Sequence, residues 1–577
     1  MSAWAGESGV GATLLSRLAR PFAYAVLFLF LILFYFYPLA SILTLSFAPE
    51  GQFSLEALSR LVSTPRYLQT FWFTTWQAAL STLLTILLAL PGSYVFARYD
   101  FPGKSLIQAL STVPFVLPTM VVSLAFTALL GPRGLLNLAA MRLLGLERPL
   151  LDLQNTLAII LLAHVFYNYT LVLRIVGSYW SNLTPRLQEA ARMLGSSRWQ
   201  AFSRVTLPLL APSIAAAAML VFIFDFTSFG VILVLGGPRF ATLEVAIYRQ
   251  TVHFLNLPLA AALSLIQILF TFGLMAAYTR LQGSTALPLE LQSRRATLRR
   301  PRGWREWSFV GGNIVLMGVL LVTPLAALVE RSLALSGSLS LRFYRELFRN
   351  PRSSVFYVPP VAAVRNSLGF ALAAVGLSVT LGLMAASVLD NRSSARSPRP
   401  RGRWLQRLLD PILMLPLGTS AVTLGLGYIV ALDQPPLNLR TSPLLVILAH
   451  TLVALPFVVR SVLPALRSIR PQLREAAAVM GASPWRVWRE VDLPIVARAV
   501  LVGAVFAFTV SMGEFGATSL IARPERPTMP VAIYRFLSRP GTVNYGQALT
   551  MSTLLMLVCT AGFLLIERFR LGNPEEF

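Results

Sequence analysis

Twelve stretches of the chain are apolar over about the 20 residues that a helix needs to cross some 30 Å of hydrocarbon. They lie at approximately 22–47, 69–97, 106–131, 155–180, 209–236 and 258–280, then 306–330, 364–390, 407–432, 442–466, 495–522 and 545–567. The pattern predicts an all-α integral membrane protein with about 12 transmembrane helices. The first stretch follows Arg17 and Arg20, as the core of a secretion signal would, but at about 26 residues it is too long and no small-residue cleavage site closes it. It is read as a retained helix.

The twelve stretches fall into two sets of six. Glu189-Ala190-Ala191 recurs 286 residues later as Glu475-Ala476-Ala477. The same offset carries Pro185 to Pro471, Ala163-His164 to Ala449-His450, Phe229-Gly230 to Phe515-Gly516, and Ala246 through Arg249 to Ala532 through Arg535. Upstream the register changes, with Pro118 best matched to Pro416, because the loop near 132–154 has no full counterpart in the second half. A repeat of this kind predicts two homologous six-helix halves, about 1–290 and 300–577, joined by a polar linker at 281–305. An even number of spans per half makes the repeats parallel, related by an axis along the membrane normal.

Composition agrees with a membrane chain: 55% of residues are hydrophobic, 13% are charged, and mean hydropathy is +0.66. The net charge of +25 would suggest nucleic acid in a soluble protein. Here the basic residues are dispersed between apolar spans without aromatic platforms, so no nucleic-acid partner is expected. The lipid bilayer is the partner instead, and loop arginines set topology. With the N-terminus in the cytoplasm, Arg280, Arg294, Arg295, Arg299, Arg300, Arg302 and Arg305 all lie inside in one linker, as does the stretch from Arg392 to Arg407. The segment from Arg331 to Arg352 is also arginine-rich on the outer side, although long loops weigh less in the rule. Both termini are then cytoplasmic. Cys559 is the only cysteine, which excludes an intrachain disulfide and gives no support to a thiol-ligated metal.

Between the fourth and fifth spans of each half lies one motif. The first copy, in a loop at about 182–208, holds Glu189, Ala190, Ala191 and Gly195 and continues through Trp199 to Leu207-Pro208. The second, at about 468–494, holds Glu475, Ala476, Ala477 and Gly481 and continues through Trp485 to Leu493-Pro494. The physical reading is a short helix, a turn at a glycine free to take positive φ, and a second segment whose proline suits the first turn of the following helix. Small alanines allow close approach to a partner surface, and glutamates near the helix start can pair with basic groups.

Both copies resemble the EAA loop of type I ABC importer permeases, and the repeat extends that resemblance over most of the chain. The resemblance implies that each loop forms a coupling helix seated in a cleft of a separate ATPase subunit, with Glu189, Gly195, Glu475 and Gly481 transmitting ATPase closure to the membrane helices. It also implies an ATPase homodimer as partner, an extracytoplasmic substrate-binding protein, and a bacterial cytoplasmic (inner) membrane location. No cofactor is expected on this chain, with ATP and Mg held by the ATPase. A phosphate-binding loop needs Gly-x-x-x-x-Gly-Lys-Ser/Thr. At Gly103-Lys104-Ser105 the required first glycine is Arg98, so the chain is not expected to hydrolyse ATP.

Fusion of two halves in one chain resembles the iron(III)/thiamine transport permease family. The segments Leu162 to Asn168, Leu235 to Pro238, Thr242 to Tyr248 and Thr528 to Pro530 resemble thiamine-type permeases in particular. This predicts a small cationic cargo, with oxyanions and polyamines as alternatives, because Gly513 to Ala517 also resembles segments of oxyanion importers. Asp225 and Glu514 are the acids inside corresponding spans, roughly 25–30 Å along the helix from Pro208 and Pro494. They admit two readings: an outer gate or vestibule on the substrate pathway, or acids solvated at the interface or bonded to neighbouring backbone. His164 and His450 share the repeat register and are expected to make interhelical contacts, not to bind metal, and His253 has no counterpart. A secondary transporter with parallel halves would place coupling acids near the midplane, and the paired coupling loops argue against it. A membrane enzyme would need a cluster of nucleophile, base or metal ligands at one face, and the sequence offers none.

Overall fold

The computed structural model describes residues 22–49, 51–284, 298–335, 338–349, 358–390, 403–433 and 437–570. Arg17, Arg20, Arg294, Arg295 and the basic residues from Arg392 to Arg401 lie outside them. Among the described residues eleven helices are long and apolar enough to cross a membrane, or twelve if Pro411–Gly418 and Ala421–Ala431, bent by 100°, form one span.

The main helices are α1 (Phe22–Phe47), α2 (Pro65–Arg98), α3 (Thr119–Leu130), α4 (Leu157–Asn182), α5 (Arg186–Met193), α6 (Arg198–Phe226), α7 (Leu257–Ser284), α8 (Gly303–Leu333), α9 (Pro360–Leu389), α10 (Ala421–Ala431), α11 (Leu444–Ser468), α12 (Pro471–Val479), α13 (Trp485–Gly513) and α14 (Thr542–Arg570). Two-residue strands β1 (Ala334–Leu335) and β2 (Ser338–Leu339) form a short antiparallel pair after α8.

The chain forms two compact units, and neither is a continuous half. One comprises residues 46–349 and 533–557, the other 1–45, 350–532 and 558–577. In the first, α2 lies close against α4 because small residues face each other: a Cβ at Gly92 would meet the Tyr169 hydroxyl at 2.5 Å, and Gly177 faces the Ser93 backbone. Helix α8 joins this unit through a stripe at helical spacing, Val310, Asn313, Met317, Leu321, Pro324 and Leu328, all buried. In the second unit α9, α11 and α13 converge on Val458, which fills the space left by Gly382 and Gly503. Helix α1 joins it through Leu27, Leu31 and Tyr35, and the Tyr35 hydroxyl lies 2.7 Å from Thr419 Oγ1.

Three prolines leave the same local signature. Each follows a π-helical turn, at Ile32–Phe36 before Pro38, Phe202–Thr206 before Pro208 and Trp488–Asp492 before Pro494. Tyr37, Leu207 and Leu493 then donate their amides five residues back, to Ile32, Phe202 and Trp488. Proline has no N–H to give the carbonyl four residues earlier, and widening the turn accommodates its ring without ending the helix. Pro208 and Pro494 therefore lie inside α6 and α13, where a helix start was expected. The carbonyl orphaned by Pro38 is that of Phe34, and it accepts a hydrogen bond from the Tyr428 hydroxyl at 3.0 Å.

Other expected spans are interrupted. The stretch 106–131 is divided into Lys104–Leu110, Val113–Val116 and α3, with Pro114 and Pro118 at the breaks. The stretches 209–236 and 495–522 likewise end as short helices, Gly230–Leu235 and Thr518–Ile521, after breaks beside Asp225 and at Glu514.

Candidate functional site

In the first motif copy, α5 carries Glu189 in its first turn and ends at Met193. Gly195 takes φ +90°, and Ser197 then starts α6 with a capping box: its hydroxyl accepts from the Gln200 amide at 3.2 Å while Gln200 Oε1 accepts from the Ser197 amide at 2.9 Å. In the second copy α12 contains Glu475, Ala476 and Ala477, and Gly481 takes φ +84°. Positive φ at both glycines matches the expectation from sequence. Glu189 and Glu475 are both exposed and form no ion pair among the described residues.

Sequence reading did not single out the apolar tip beside each glycine. Met193 and Leu194 are 89% and 88% exposed, and Val479 and Met480, at the same places in the repeat, are 88% and 82% exposed. Trp199 and Trp485 are exposed beside them, as are Leu187 and Leu473. A soluble surface rarely presents the same four large apolar positions twice, and such exposure is characteristic of interaction surfaces. The signal lay between the alanines and the glycine, where a solvent-facing turn would carry polar residues.

The two loops are anchored differently. Arg474, on α12, donates from Nε to Asp492 at 2.7 Å and from Nη1 to Asp390, at the end of α9, at 3.2 Å. Burial opposes the charge on this guanidinium, but the hydrogen bonds and attraction of Asp492 and Asp390 outweigh it and hold its pKa above the ordinary arginine value. The repeat puts Gln188 and Thr206 at the places of Arg474 and Asp492, so the first loop has no such clamp. There Arg98 Nη2 donates to the Leu183 carbonyl at 3.0 Å. The end of the linker is also fixed: the Arg299 amide and carbonyl bond to Arg98 and Asp100, and its guanidinium lies over Tyr99 and pairs with Glu306 at 2.7 Å. The Glu306 hydrogen bond, working against burial, raises the Arg299 pKa above its usual value.

Asp225 sits in the last turn of α6 and Glu514 caps the end of α13, and both are almost fully buried, 1% and 7% exposed. Each is paired with the histidine of its own half. His164 Nδ1 lies 3.6 Å from Asp225 Oδ1 and 3.0 Å from Ser81, while its Nε2 is 3.0 Å from Ser228. Asn168 donates to Asp225 Oδ1 at 2.8 Å, and Gln77 donates to the Asp225 carbonyl at 3.1 Å. In the other half His450 Nδ1 lies 2.7 Å from Ser511, and its Nε2 is 2.9 Å from Thr518 and 3.5 Å from Glu514. Glu514 accepts the backbone amides of Ala517 and Thr518 at 2.8 and 3.0 Å, and the Thr518 hydroxyl as well.

The repeat register reveals an exchange. Asp225 corresponds to Ser511 and Ser228 to Glu514, so the acid has moved three residues, nearly one helical turn, between halves. In the first half it faces Nδ1 of the histidine and in the second Nε2. Glu514 bonds to neighbouring backbone, whereas the Asp225 carboxylate bonds to the Asn168 side chain and neither acid is solvated; the histidines make interhelical contacts. Among the described residues no group of three His, Cys, Asp or Glu could hold a metal ion.

Comparison with known proteins agrees with this architecture. The family model for the binding-protein-dependent transport system inner membrane component matches residues 81–286 and 378–570. It takes in both motif copies and leaves out α1 and α8, the first helix of each half. The thiamine transport system permease protein ThiP of Brucella abortus is 29% identical over 511 residues, 88% of each chain. That of Escherichia coli is 28% identical over 500 residues, 86% of this chain and 88% of its own. A probable ABC transporter permease protein of Sinorhizobium fredii is 26% identical over 533 residues, 90% of this chain and 91% of its own. A duplicated helical bundle with a matched loop in each half and the family model in both is thus accounted for: this chain belongs to the binding-protein-dependent transport system inner membrane components, as a fused permease of the ABC importer type.

Proposed function

We propose that this chain carries thiamine or a similar small organic cation across the bacterial inner membrane, driven by a separate ATPase dimer that grips both exposed loop tips. The cargo reading is supported by relatives named as thiamine transport permeases over nearly nine-tenths of the chain. Ferric iron, the other cargo of the group suggested by sequence, is compatible with the same architecture but less directly supported.

One observation carries the ATPase reading: the same exposed apolar positions recur in both halves, Met193-Leu194 and Val479-Met480. Two equivalent knobs suit two equivalent clefts, hence a homodimer. Burying four such side chains would contribute roughly 1.5–3 kcal/mol each before the costs of association. Glu189 and Glu475, exposed and without an ion pair among the described residues, are then available to basic groups of the ATPase. In this orientation the loops and both termini face the cytoplasm, a binding protein delivers cargo from the opposite side, and ATP and Mg reside on the ATPase.

The test is reconstitution of the chain with its ATPase and binding protein in proteoliposomes. Replacing Met193, Leu194, Val479 and Met480 with Asp should abolish ATPase capture and ATP-dependent thiamine uptake while the chain remains inserted and monodisperse. Undiminished capture, or uptake by the chain alone on an ion gradient, would refute the reading.

A further inference from the structure

Behind the first coupling helix lies a cavity of about 800 Å3. Its walls come from the last turns of α2, the end of α4, the start of α6, and the linker end with the start of α8, all within one unit. One wall is apolar and open toward the side of the bundle, with Leu87 and Phe309 57% and 42% exposed, and with Leu90 and Pro91. The other wall is cationic: Arg98, Arg192, Arg198 and Arg299 against Glu189 and Glu306.

Among the described residues the charges there are not balanced. Glu306 is already engaged by the Arg299 guanidinium and the Arg302 amide. Arg98 spends Nη2 on the Leu183 carbonyl, while its Nη1 is buried with no hydrogen-bond partner. The side chains of Arg192 and Arg198 form no ion pair among the described residues. A buried guanidinium nitrogen without an acceptor is costly, and guanidinium groups match the geometry of phosphate oxygens. From Leu87 to Arg98 is 11 residues of helix, roughly 16 Å, about the depth from upper acyl chain to headgroup.

We propose that this cavity holds an anionic phospholipid of the cytoplasmic leaflet, its phosphate on Arg98, Arg192 and Arg198 and its acyl chain along Leu87, Leu90 and Phe309. The leaflet assignment rests on the cytoplasmic orientation of the coupling loops proposed above; the binding itself does not. The lipid would fill the space between α5 and the membrane helices and back the one coupling helix that lacks an arginine clamp. The occupant is a lipid and not a free anion because the apolar wall continues directly into the headgroup site.

Purified full-length chain in neutral detergent is titrated with dioleoyl phosphatidylglycerol, dioleoyl phosphatidylcholine and inorganic phosphate, and retained adducts are counted by native mass spectrometry. Phosphatidylglycerol should be retained at least about 10-fold more strongly than phosphatidylcholine. Arg192→Gln with Arg198→Gln should weaken it about 10- to 30-fold, at roughly 1 kcal/mol per basic residue near a membrane surface, without changing phosphatidylcholine retention. These two arginines are exposed, so the pair keeps the test available even if Arg98→Gln fails to fold. Equal retention of both lipids, unchanged affinity in the double variant, or phosphate binding as tightly as the lipid would overturn the proposal. So would one-for-one displacement of phosphatidylglycerol by added ATPase, which would make the cavity part of the protein interface. Because the lipid titrations use the chain alone, failure of ATPase coupling and failure of lipid binding are separate results.

Discussion

Arg474→Gln isolates the contribution of the second loop's anchor. Arg474 is 17% exposed, and its partners Asp390 and Asp492 are 4% and 12% exposed. An ion pair in full solvent is worth at most about 1 kcal/mol, whereas removing one member of a buried pair costs about 3–5 kcal/mol because the remaining charge is left unpaired. The substitution removes an ion-pair partner from both carboxylates, and with burial this high the loss is about 3 kcal/mol, at the lower end because some solvent reaches the arginine. That energy ties α12 to the end of α9 and the start of the next span, so its loss raises the population of a detached α12 about 100-fold. Hydrogen exchange by mass spectrometry on the full chain should then accelerate by about that factor over 471–481 and hardly at all over 186–195. In proteoliposomes the variant should hydrolyse ATP with little transport, since the knob still binds but no longer pulls on the membrane helix. Replacing the triad with apolar residues, Arg474→Met with Asp390→Leu and Asp492→Leu, should restore most of the protection. Exchange in 471–481 within a few-fold of the parent, or equal acceleration in both loops, would refute the reasoning.

Two further outcomes follow from the two halves. Asp225→Ser combined with Ser228→Glu moves the acid of the first half to the place it holds in the second, with Ile232 where the second half has Thr518, and the double variant should keep a melting temperature within a few degrees of the parent. Ser228→Glu alone, which places two acids on one buried histidine, should lower it markedly in a thermal assay of the purified chain. Gly195→Ala and Gly481→Ala should each cost about 1–2 kcal/mol through positive φ alone, since a Cβ at either position meets no other atom. Asparagine should be milder than alanine at both positions, and the ranking is checked by ATPase affinity in surface plasmon resonance.

The spans, the duplication and the paired glycine-turn loops were legible in the amino-acid sequence because each rests on local rules. A run of about 20 apolar residues has few alternatives to a membrane helix, and a glycine in a fixed register announces positive φ whatever surrounds it. Pro38, Pro208 and Pro494 announced a local disturbance, but whether a proline starts a helix or widens one depends on the residues preceding it, which here stay helical and pack. The tertiary structure alone decided the rest, since it turns on which distant residues meet. The stripe Leu27, Leu31 and Tyr35 could have packed against either half, and shape and the free carbonyl of Phe34 fix it against Tyr428. The approach of Asp225 to His164 and of Glu514 to His450 was hidden because the acids are displaced by three residues in the repeat, and only the fold shows that each reaches the equivalent histidine, on opposite ring nitrogens. Arg474 looked like one arginine among many until Asp390 and Asp492 closed on it from elements 84 and 18 residues away. Sequence fixes what each segment prefers; charge pairing and burial, which depend on neighbours brought from afar, are properties of the folded chain.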